Sequence, residues 1–87
     1  MTAEIVDRSR NGLYEITDTN WDHNGTLSVT VRELIGEREL SPARIRAMRD
    51  LARRALPYPE KTRSAKCDRT WFAQGCSHAT FLVSRNG

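Results

Sequence analysis

Apolar and polar residues alternate most cleanly over residues 27–32, where Leu27, Val29 and Val31 are separated by Ser28, Thr30 and Arg32. That period of two is the pattern of a strand with one buried face. The preceding Asn24-Gly25 pair tolerates the left-handed backbone of a tight hairpin turn. Residues 13–21, a mixture of aromatic, β-branched and polar types, supply the partner strand. With Asn24 and Gly25 as the two central turn residues, His23 falls opposite Thr26, Asn20 opposite Val29 and Asp18 opposite Val31. This register gathers Tyr14, Ile16, Leu27, Val29 and Val31 on a core face. It leaves Leu13, Glu15, Thr17, Thr19, Trp21, Ser28, Thr30 and Arg32 on the other, where Trp21 is either a cover over the sheet or an exposed contact residue. A further β-compatible stretch, residues 3–7, leads into an earlier Asn-Gly turn at Asn11-Gly12.

The period changes after Ser41-Pro42. Serine suits an N-cap and proline the first helical position, and no glycine interrupts the chain before Pro57 halts it. Wound at about 100° per residue, residues 43–56 place Ile45, Met48, Leu51, Ala52, Ala55 and Leu56 in one apolar arc that faces the sheet. Arg46, Arg49 and Arg53 form a stripe beside that arc, with Arg54 further round. Pro57-Tyr58-Pro59 cannot continue the helix, and the polar residues 60–66 predict a surface loop. Residues 67–73 and 79–85 read as two strands of a closing hairpin joined by residues 74–78. The expected fold is a single α+β domain spanning residues 1–87. It is an antiparallel sheet of about five strands in the order β-β-β-α-β-β, covered by one amphipathic helix.

The net charge of +3 conceals a division along the chain. Residues 1–40 carry four basic residues against eight acids, and residues 41–87 carry ten against three. Such asymmetry points to nucleic acid or to an acidic protein surface as partner. Arginine outnumbers lysine twelve to two, and the planar guanidinium grips phosphate or carboxylate in bidentate fashion. No apolar run approaches the length of a membrane span, and the first residues lack the basic-then-apolar pattern of a secretory signal. The expected compartment is cytoplasmic, with no membrane contact.

Candidate chemistry is sparse. Cys67 and Cys76 are expected to be free thiols in a reducing compartment, a hairpin disulfide being the other reading. Cys67, Cys76 and His78, with His23 as a distant fourth, are the nearest approach to a zinc site, but no closely spaced Cys pair is present. Cys76 with His78 is the one candidate nucleophile and base, and no third orienting group is evident. No phosphate-binding loop or dinucleotide fingerprint occurs. The sequence therefore predicts no catalytic residue, no metal and no cofactor.

What remains is binding. Arg46, Arg49, Arg53, Arg54, Lys61 and Arg63 form a basic partner-binding set, and Trp21, Asp18 and Asp22 an acidic, aromatic one. Small size, segregated charge and tryptophan and tyrosine anchors without a catalytic set resemble, in general character rather than by any motif, the phage-encoded inhibitors of bacterial defence, the anti-CRISPR proteins. The resemblance implies a non-enzymatic protein that docks on a large protein or nucleoprotein complex and blocks it. The alternative expectation is a direct DNA- or RNA-binding module using the Arg-rich helix and loop. Either is expected as a monomer or small homo-oligomer.

Overall fold

The computed structural model describes residues 7–8, 12–22, 24–34, 41–55 and 63–85. Along the chain run β1 (Asp7–Arg8), β2 (Tyr14–Trp21), β3 (Leu27–Glu33), α1 (Pro42–Arg53), β4 (Arg63–Ala73) and β5 (Cys76–Arg85). The strands form one antiparallel sheet in the order β1-β2-β3-β5-β4, so the class is α+β. Of the expected first strand, residues 3–6 lie outside the described residues, and Asp7 pairs with Ile16 in the two-residue edge ribbon β1.

Helix α1 starts as expected. Ser41 is the N-cap, its Oγ accepting from the Arg44 N–H at 3.2 Å, and Pro42 follows it. The helix stops at Arg53 rather than at residue 56, because its last turn tightens: the N–H groups of Arg54 and Ala55 donate to Leu51 and Ala52, each at 3.1 Å. Such i to i−3 bonds satisfy terminal carbonyls. Met48, Leu51 and Ala52 are buried against Ile16, Val29, Val31, Ala79, Phe81 and Val83. One face of the sheet and one face of the helix thus make the core.

The expected β2–β3 register is wrong by one residue. The last strand pair is Trp21 with Leu27, and Asp22 and Thr26 close the hairpin around residues 23–25. Asp22 Oδ1 accepts from the backbone N–H groups of Asn24 at 2.8 Å and Thr26 at 2.9 Å. An aspartate that captures two amides favours a three-residue loop with Gly25 left-handed (φ 84°) over the two-residue turn. A bulge then shifts the register again: Ile16 pairs with Val31 but Asp18 with Thr30, leaving Thr17 as the extra residue. The two shifts together restore Tyr14 and Ile16 to the core face. Between them, the faces of residues 18–21 are exchanged relative to expectation, because a slip of one residue turns every side chain over.

At the other end, the expected loop over residues 60–66 is strand from Arg63 onward. Residues 60–62 lie outside the described residues. Ala65 and Cys67 pair with Val83 and Phe81 and pack against the core, while Ser64 and Lys66 alternate with them. That alternation matters more than the polar composition. The connection to β5 is likewise shorter than residues 74–78. Ala73 pairs with Cys76, and Gln74 and Gly75, with φ of 54° and 76°, form the two-residue turn between them. Two left-handed residues are the signature of a type I′ hairpin.

The helix is tied to the sheet by charge as well. Arg44 Nε donates to Glu33 Oε2 at 2.9 Å, and Nη2 donates to Glu33 Oε1. Glu33 is 3% exposed. It also meets Tyr14, whose hydroxyl is pushed above its ordinary pKa by burial and by the Glu33 charge and hydrogen bond.

Two stability outcomes follow. Gln74→Asn, which suits a left-handed position better than glutamine, is expected to stabilise the fold by about 0.5–1 kcal/mol, read as a higher urea midpoint. Arg44→Met leaves Glu33 buried without its cation and is expected to cost about 3 kcal/mol. Adding Glu33→Gln should recover most of that loss in chemical denaturation.

Candidate docking surface

Helix α1 packs on β2, β3, β4 and β5 from one side, and no described helix or strand packs on the other face of the sheet. Cross-strand partners share a face, so the register lays out that helix-free surface in rows. One row runs Glu15, Arg32, His78, Trp71; the next Asp18, Thr30, Thr80, Arg69; the third Asn20, Ser28, Leu82, Lys66. The bulge at Asp68, between the Cys67–Phe81 and Arg69–Thr80 pairs, puts Arg69 and Trp71 on this side.

The first row consists of two interacting pairs, Glu15 with Arg32 and His78 with Trp71. Arg32 Nη2 donates to Glu15 Oε1, and Glu15 is fully buried. The Trp71 and His78 rings stack with centroids 5.1 Å apart and planes 8° from parallel. The Arg69 guanidinium lies over the Trp71 ring, 4.8 Å from its centroid. His78 Nδ1 lies 3.1 Å from the Cys76 carbonyl oxygen. A carbonyl only accepts, so Nδ1 carries the proton and Nε2 of the neutral ring is an acceptor. Burial holds the imidazole below its ordinary 6.5; the Cys76 hydrogen bond opposes this, and the Arg32 charge adds to it.

The sequence-predicted residues fall in separate places. Arg46 and Arg54 on the helix are exposed, while Arg49 and Arg53 are half-buried on its flank. Arg63 opens β4 opposite Arg85, and Lys61 lies outside the described residues. Asp18 is exposed on the helix-free face, not opposite Val31 on the core face as its expected register required. Trp21 pairs with Leu27 and so belongs to the helix side of the sheet, not to the polar face, and at 55% exposed it leaves much of its indole in solvent. Asp22 is exposed but committed through Oδ1 to the turn.

Cys67 and Cys76 are free thiols on opposite faces of the sheet, and burial, then the Asp68 charge, pushes the Cys67 thiol up. His23 lies outside the described residues, among which no group of three or more His, Cys, Asp and Glu side chains is placed to hold a metal ion. No described helix is long and apolar enough to cross a membrane.

Charge division along the chain becomes division in space. Strands β1 to β3 contain Asp7, Glu15, Asp18 and Glu33 against Arg8 and Arg32. Helix α1 and strands β4 and β5 contain Arg44, Arg46, Arg49, Arg53, Arg63, Lys66, Arg69 and Arg85 against Asp50 and Asp68. Because β5 lies between β3 and β4, the boundary runs through the middle of the sheet. Ion pairs absorb Glu15 and Glu33. Among the described side chains, the exposed charges are then Asp18 and Asp22 on one side, and Arg46, Arg54, Lys66 and Arg69 on the other, where Asp50 and Asp68 are also exposed.

No family model, curated protein or solved structure matches the chain, so the functional reading rests on this geometry.

Protonation of His78 supplies a direct check on its pair with Trp71. The folded state holds this group's pKa below 6.5, so the unfolded chain takes the proton first. Its stabilising contribution is complete above about pH 6.5 and is lost as the pH falls below that value. His78→Gln is expected to flatten the decline in urea midpoint between neutral and mildly acidic pH.

Proposed function

We propose that this protein is a non-enzymatic binding module that docks on a larger protein or nucleoprotein complex and blocks it. The carrying observation is the exposed Trp21 at the end of a hairpin that Asp22 stiffens, with Asp18 nearby on the strand. A tryptophan anchor on a pre-organised backbone binds with little ordering cost. Asp22, next to it in the chain, and Asp18, on the other face of the same hairpin, suit a partner with a basic rim, of the kind that lines a nucleic-acid groove. The arginines of the helix flank stand on the oppositely charged side of the fold and suit acidic or phosphate groups of the same assembly. Helix-side placement of Trp21 and helix-free placement of Asp18 give the hairpin end two-sided contact.

The test is capture of partners by the tagged protein from bacterial lysate, with and without nuclease, followed by mass spectrometry. Recovery of one stoichiometric protein complex after nuclease treatment supports docking, and recovery of nucleic acid alone overturns it. Trp21→Ala is expected to weaken capture by about 2 kcal/mol, the scale of an interfacial hot spot, with no change in the thermal midpoint.

A further inference from the structure

Strand β4 presents a second surface that the docking reading does not use. On the helix-free face, Lys66, Arg69 and Trp71 stand in one column at the sheet edge, opposite Leu82, Thr80 and His78 of β5. Lys66 and Arg69 are exposed and Trp71 is half-buried. Successive partners on β5 are two residues apart, so the column repeats every 6.6–6.8 Å or so. That is on the scale of the distance between successive phosphates of one strand, whose spacing of about 3.4 Å in a duplex is only the advance along the helix axis. The spacing suits any nucleic-acid strand, but a duplex base is stacked on both faces and offers none to the indole, so the column fits a single strand whose bases can leave the stack.

The indole is built as a platform. His78 supports it by parallel stacking, and the Arg69 guanidinium lies over the ring at 4.8 Å. A guanidinium in an exposed cation–π contact is weakly held. It can leave the ring for a phosphate and give the aromatic surface to a base.

We propose that the Lys66, Arg69, Trp71 column binds single-stranded nucleic acid, with Lys66 and Arg69 on successive phosphates and a base on Trp71. Charge complementarity favours this occupant: two exposed cations point from the column, and Asp68, the one acid of β4, is the extra residue of the bulge. An acidic peptide would satisfy the cations but has no planar group at each step for the indole. Combining basic side chains with an aromatic platform is the general means of holding single strands without reading their sequence.

The proposal is independent of the partner at the Trp21 end and is tested on the isolated protein. Fluorescence anisotropy with a short labelled oligothymidylate at low salt is expected to show saturable binding, weaker for the same oligomer in a duplex. Lys66→Gln and Arg69→Gln should each lower the slope of log affinity against log salt by about 0.7. Trp71→Leu should reduce affinity by about tenfold or more, while Trp71→Phe, which keeps a ring on His78, retains most of it and guards against misfolding. Absence of oligomer binding overturns the proposal. So does equal binding of duplex or of a polyglutamate peptide, or binding lost in Arg46→Gln/Arg49→Gln/Arg53→Gln but intact in Lys66→Gln/Arg69→Gln.

Discussion

Two extra residues, Thr17 in β2 and Asp68 in β4, decide which side chains of this sheet meet solvent. A strand has a period of two, so each bulge reverses the facing of every residue between it and the nearest turn. Without the first, Tyr14 and Ile16 could not share a core with Val29 and Val31 in the register that the Asp22 loop imposes. Without the second, Arg69 and Trp71 would turn to the helix side of the sheet, the side of Cys67 and Phe81. Thr17 is not idle, since its hydroxyl donates to the Thr30 carbonyl at 3.5 Å. Asp68 brings charge to an edge strand eleven residues long, and charge with a bulge is the usual defence of such an edge against unwanted pairing.

Buried ion pairs shape the surface by subtraction. Among the described residues, Glu15 and Glu33 are the fully or nearly fully buried acids, and each is engaged by an arginine: Arg32 from a neighbouring strand, Arg44 from the helix. Their charges are spent inside. Among the described side chains, the acids of strands β2 and β3 and their hairpin that reach solvent are Asp18 and Asp22, both toward the hairpin end. A chain of modest net charge thereby acquires two unlike ends, a property that net charge alone conceals.

Core positions were legible from the sequence because they depend on periodicity, which survives an even shift in register. Helix start and apolar arc were equally plain from Ser41, Pro42 and the spacing of Met48, Leu51 and Ala52. Faces of individual residues were not. Asp22 reads as one acid before an Asn-Gly pair, and only its capture of two backbone amides reveals the longer loop. Gln74 carries no turn signal, since glutamine seldom adopts a left-handed backbone. With that turn unseen, the pairing of Trp71 with His78 was unseen as well. Arg44 was hidden for another reason: its partner Glu33 is eleven positions away, and their meeting depends on where the helix lands.

Beyond the short edge strand β1, the sheet consists of two local hairpins, β2–β3 and β4–β5, joined by the seam between β3 and β5. Residues meeting across that seam, such as Thr30 and Thr80, are fifty positions apart. Closing so long a loop must precede any reward from seam contacts, and this sets the pace of folding. The two hairpin halves carry opposite net charge, so they attract each other while still apart. The division that gives the finished molecule its unlike ends thus also guides the collapsing chain toward that long-range pairing.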